Sequence, residues 1–189
     1  ELSLIAPRAR DSDAGRATHS NTAPGLIEKA AKQLLLGEFR AALESVEAAI
    51  ETDKGFGQAW LLKARLVAAD GGTTKDAMKC IRRANALGEY TVILESEILD
   101  NDGRTDAAIE VLEEHLSSKP GDAEARGSLS QLWLANGSAE SARETLDDAP
   151  DGSWESATLH VMKGRLSLVE SDTHRDETGK IGRLGVLGA

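Results

Sequence analysis

Gly103-Arg104-Thr105-Asp106-Ala107-Ala108-Ile109-Glu110-Val111-Leu112-Glu113-Glu114-His115-Leu116-Ser117-Ser118-Lys119-Pro120 decides the fold. It reads as a glycine turn, an amphipathic helix and a terminating proline. Its skeleton is a Gly, an Ala five residues on and a large apolar residue four further. The same skeleton recurs as Gly37/Ala42/Val46, Gly72/Ala77/Ile81 and Gly137/Ala142/Leu146. The alanines stand 35, 31 and 34 residues apart. Self-similarity at that period is the mark of stacked supersecondary units.

Outward from this stretch the periodicity predicts paired helices at about 25–36 and 39–52, 57–69 and 74–87, 89–101 and 105–118, and 122–135 and 138–147. A last helix is expected from near Ser153, its N-cap, to about Glu170. In the second pair Trp60 stands twelve residues before Gly72, against eleven elsewhere, so the turn holds one inserted residue. Residues 1–24 lack helical periodicity and read as an arm. Residues 171–189 read as a polar, glycine-rich tail whose glycines oppose a helix. Leu2–Ile5 and Ile181–Leu187 are the apolar parts of the two arms. They are expected to dock on the chain's own surface or on a second copy, which would make the arms a route to self-association.

The pattern resembles the tetratricopeptide repeat family, whose first helix carries W-x2-L-G-x2-Y and whose second carries A-x3-F. The matching residues are Trp60, Lys63, Ala64 and Val67 leading to Ala77 and Ile81, and Val92, Glu95, Ser96 and Leu99 leading to Ala108 and Leu112. Arg126, Leu129, Ser130 and Trp133 lead likewise to Ala142 and Leu146, and Leu26, Lys29, Ala30 and Gln33 to Ala42 and Val46. Trp154 to Val161 resembles a fifth first helix serving as a cap. The resemblance spans residues 23–169 and departs from the family at Gln33, where an aromatic is usual, and at His115, where Ala is usual. It implies an all-α superhelix of about four hairpins plus a C-terminal capping helix. Ala30 with Ala42, Ala64 with Ala77, Ser96 with Ala108 and Ser130 with Ala142 would be the close contacts inside the hairpins.

Composition bounds the function. The chain of 189 residues has 22 Lys plus Arg against 32 Asp plus Glu, a formal charge of -10, which opposes binding to nucleic acid or anionic membranes. No apolar run approaches the length of a membrane span. One cysteine, Cys80, makes neither an internal disulfide nor a cysteine zinc site, and it reads as a small buried helix residue. Asp100-Asn101-Asp102-Gly103 lacks the first and twelfth carboxylates of a calcium loop and reads as a polar turn. The glycines at 179, 182 and 185 fit neither a phosphate loop nor a dinucleotide fingerprint. The four histidines share no ligand spacing, and His115 is expected to be structural. No catalytic residue, cofactor or metal is expected.

What the resemblance implies is a non-catalytic scaffold that binds a peptide or helix on a concave face lined by the first helices. By register the inward residues are Ile27 and Leu34 in the first repeat, with Leu35 beside them, and Leu61 and Arg65 in the second. They are Ile93, Glu97, Asp100 and Asn101 in the third, and Gly127 and Gln131 in the fourth. Only Arg65 is basic, so the family's clamp for acidic peptide tails is missing. An apolar, partly basic partner fits instead. Two alternatives stay open: a self-associating subunit of a larger complex, and the non-catalytic segment of a larger enzyme. Cytoplasm and bacterial periplasm accommodate the composition equally.

Overall fold

The computed structural model describes residues 21–152 and 156–185. Among them are nine helices and no strand: α1 Ala23–Leu35, α2 Phe39–Thr52, α3 Gly57–Ala69, α4 Thr74–Ala86, α5 Val92–Asn101, α6 Thr105–Ser118, α7 Ala123–Ala135, α8 Ala139–Asp147 and α9 Ala157–Gly185. The first eight pair as hairpins: α1 with α2, α3 with α4, α5 with α6, and α7 with α8. The chain divides between Thr91 and Val92 into two compact units. The first holds α1–α4 and the second α5–α9.

Glycine turns set the hairpins. Gly37, Gly103 and Gly137 have φ of 76°, 75° and 79°, a left-handed backbone that only glycine adopts without strain. Each closes a Schellman pair: Glu38, Arg104 and Ser138 amides donate to the carbonyls of Gln33, Leu99 and Trp133. In the second hairpin the left-handed residue is Gly71, not Gly72. Trp60 is then eleven residues ahead of it, as in the other repeats, and Gly72 is the inserted residue. A Cβ on Gly72 would lie 2.6 Å from Val67 Cγ1 and 2.7 Å from its carbonyl, so glycine is required there for space.

The residues predicted to make the close contacts are all buried. Ala30, Ala64, Ser96 and Ser130 on the first helices and Ala42, Ala77, Ala108 and Ala142 on the second are buried. Val46, Ile81, Leu112 and Leu146, one turn further, are buried as well. The two departures from the family pattern are compensated by polar pairs. Gln33 Oε1 accepts from the buried Ser45 hydroxyl at 2.8 Å, across α1 and α2. His115 Nε2 lies 2.8 Å from Asp122 Oδ2, where the ring N–H donates to the carboxylate. Asp122 also caps α7, accepting from the Glu124 and Ala125 amides. His115 therefore ties the end of α6 to the start of α7.

Helix boundaries differ from expectation at three places, one of them the start of the last helix, which begins at Ala157, after the non-helical Ser156, and not near Ser153. The fifth helix begins at Val92, because Gly88, at φ 89°, ends α4 with its own Schellman pair and sends Glu89–Thr91 out as a connector. The last helix runs to Gly185, through the stretch whose glycines were expected to prevent it. Residues 171–178 contain neither Gly nor Pro, and extending an existing helix is far easier than nucleating one. The cost of about 1 kcal/mol for each interior glycine is therefore absorbed. The expected N-cap Ser153, and Leu2–Ile5, Val186 and Leu187 of the arms, lie outside the described residues.

Two substitutions test the hairpin contacts in opposite directions. Ala108→Leu should overpack the α5–α6 hairpin and cost about 1–3 kcal/mol. The Ser130 hydroxyl is buried without a partner among the described residues. Ser130→Ala should therefore raise stability by about 1 kcal/mol. Urea unfolding curves of the two variants measure both.

Candidate functional site

The residues expected to face a partner lie on the first helices, and each unit presents its own set. In the first unit Ile27 and Leu34 on α1 are half-buried and pack against the core built by Ala30, Val46, Ile50 and Leu66. Leu61 on α3 is half-buried and Arg65, one turn on, is exposed. In the second unit Ile93 on α5 packs against the core of Leu112, Leu116 and Leu129, while Glu97 and Asn101 are exposed. Asp100 is held within its own turn, accepting from the Thr105 hydroxyl at 2.7 Å. The apolar members are therefore partly spent on the core. The polar ones with open access are Arg65, Glu97 and Asn101.

The fourth repeat is different, because α9 lies on α7. Leu159, Met162 and Leu166 of α9 join Ala142 and Leu146 in one buried cluster. Arg165 donates to Gln131 Oε1 at 3.3 Å, and Arg143 of α8 donates through Nε to Glu170 Oε1 at 3.0 Å. Gly127 permits the approach: a Cβ there would stand 2.5 Å from Thr158 Cγ2. Gly127 and Gln131 thus receive the chain's own capping helix. The sequence marks Gly127 only as a glycine inside a helix, an arrangement that often signals close packing.

Sequence reasoning also missed the role of Arg126. It occupies the place of Trp60 in the repeat, yet it is 5% exposed. Its Nη1 donates to the Thr145 carbonyl at 2.7 Å and its Nη2 to the Pro120 carbonyl at 2.8 Å. The guanidinium does the work of an aromatic by stapling the ends of α6 and α8 to α7. Burial pulls its pKa below the ordinary arginine value, with Asp148 opposing. Beside it a cavity of about 540 Å³ is lined by Glu113, Leu116, Trp133, Glu144 and Asp148. Burial pushes the Cys80 thiol pKa up. No group of three or more His, Cys, Asp or Glu side chains suited to a metal occurs among the described residues. Nor is any helix among them long and apolar enough to cross a membrane.

The tetratricopeptide repeat model matches residues 101–152, which cover the α5–α6 turn, α6, α7 and α8. Over residues 101–152 the chain carries tetratricopeptide repeat sequence. Solved structures with the same fold include TTC0263, a tetratricopeptide repeat protein of Thermus thermophilus. Its TM-score is 0.64 at 16% identity, over 82% of this chain and 87% of that one. MamA of Desulfovibrio magneticus RS-1 gives a TM-score of 0.55 at 18% identity, over 88% and 96%. YrrB, described as a TPR protein with an unusual peptide-binding site, gives 0.55 at 14% identity, over 90% and 98%. No curated protein sequence matches this chain. These solved structures share the stacked-hairpin fold of this chain.

Gly127→Leu should drive α9 off α7. The expected result is faster amide exchange at Leu159, Met162 and Leu166, with exchange at Ala42 and Val46 in the first unit unchanged.

Proposed function

We propose that the protein is a non-catalytic scaffold that holds a peptide or helix of a partner protein against its first-helix faces. The partner is apolar and partly basic. The observation that carries this reading is the placement of Glu97 and Asn101, exposed on α5 beside half-buried Ile93. Neither side chain makes a hydrogen bond or ion pair with any described residue. Glu97 and Asp100 follow Ile93 at helical spacing, so an apolar anchor on Ile93 would bring a partner's cation to the carboxylates. On α3 in the first unit, Leu61 and Arg65 offer an apolar contact followed by a cation. The peptide-binding site named for YrrB is consistent with this use of the fold.

Asp100 contributes charge while keeping its bond to Thr105. Gln131 contributes at the edge of α9, since Arg165 already takes its carbonyl oxygen. Hot-spot contacts of this kind are worth about 2 kcal/mol or more when truncated.

The test is a crosslinking capture of partners from the native cell, repeated with Glu97→Lys and with Glu97→Lys combined with Leu61→Glu. Captured partner should fall by at least about tenfold in the double variant. The melting temperature shows whether each variant is folded. Undiminished capture by a folded double variant would place the partner surface elsewhere.

A further inference from the structure

The four hairpin turns share one backbone solution but not one surface. Counting from the left-handed glycine, the two preceding residues and the first residue of the second helix are Ala69, Asp70 and Thr74 in the second hairpin. They are Asn101, Asp102 and Thr105 in the third, and Ala135, Asn136 and Ala139 in the fourth. All are small or polar. In the first hairpin the same three places hold Leu35, Leu36 and Phe39, which are 88%, 74% and 51% exposed. Three turns form without large apolar residues at these places, so folding does not require them at the first. Three large apolar side chains within five residues, turned to water, mark a surface that something covers.

The surroundings give the charge of that occupant. A cavity of about 560 Å³ beside Phe39 is lined by Glu38, Arg40, Glu44 and Asp70. Three carboxylates face one guanidinium there. An occupant should carry apolar side chains followed by cations.

We infer that the occupant is the chain's own N-terminal segment, residues 2–10, with Leu2, Leu4 and Ile5 on Leu35, Leu36 and Phe39 and with Arg8 and Arg10 against the carboxylates of Glu38, Glu44 and Asp70. Within its first 20 residues the chain has this one apolar cluster, and two of its three arginines follow directly. Reach is sufficient. α1 has 13 residues and is about 20 Å long, so the patch lies about that far from the start of the helix. The residues between Arg10 and Thr22 span up to about 40 Å when extended. The contact is confined to the first unit, and of the inward first-helix residues it uses only Leu35, the last residue of α1.

The experiment uses the full chain with a photo-reactive benzophenone amino acid replacing Leu36. Leu36 is exposed, so the replacement leaves the core intact, and a melting curve verifies this. Illumination of a mixture of isotopically light and heavy chains is followed by mass spectrometry of the cross-linked peptides. The expected product joins position 36 to a residue in 2–10 of the same isotopic label. Combining Arg8→Glu with Arg10→Glu should lower its yield roughly three- to tenfold. Adding Glu38→Arg and Glu44→Arg to that variant should restore it. Products joining light to heavy chains would assign the patch to a second copy. Absence of any product with residues 2–10 would leave it to a separate partner. Either outcome overturns the inference.

Discussion

The structure depends on how closely two helices can approach. At Ala30 and Ala42, Ala64 and Ala77, Ser96 and Ala108, and Ser130 and Ala142, the facing positions carry side chains of one or two heavy atoms, and all eight are buried. The larger Val46, Ile81, Leu112 and Leu146 then fill the space one turn beyond. Small residues at these places set the interhelical distance, and the distance decides which large side chains fit. An interior at native density transmits such a choice to its neighbours, so one enlarged contact displaces more than itself.

The same constraint explains why departures from the repeat pattern come with partners. Where Gln33 replaces an aromatic, Ser45 across the hairpin gives its amide oxygen a donor. Where His115 replaces a small residue, Asp122 takes its ring N–H while capping α7. Where Arg126 replaces an aromatic, the carbonyls of Pro120 and Thr145 receive the guanidinium. A buried polar group costs stability unless it is hydrogen-bonded, so Gln33 and His115 each required a partner side chain and Arg126 a pair of backbone carbonyls. The Ser130 hydroxyl and the Nε of Arg126 lack this compensation among the described residues.

Most of the fold was legible because its signals are local. Gly37, Gly103 and Gly137 end helices by a mechanism that operates within six residues, and the apolar period fixes which face is buried. What was not legible depends on distant residues. Gly127 matters because Thr158 of another helix approaches it, and no spacing within the repeat reveals that. The glycines of the last helix suggested a break, yet an established helix continues through them. In the second turn the sequence has two adjacent glycines, and only the backbone shows that Gly71 is the left-handed one. The first-helix faces were legible as faces but not in depth. Periodicity places Ile27, Leu34 and Ile93 on one side of a helix, and only packing shows that they are shared between core and surface.

Every hairpin is closed by its small-residue seam. Native-state amide exchange resolved by residue tests this directly. The amides of Val46, Ile81, Leu112 and Leu146 should be among the slowest in their own hairpins, and those of the turn residues Gly37, Gly71, Gly103 and Gly137 among the fastest. A hairpin whose seam exchanged as fast as its turn would contradict the account.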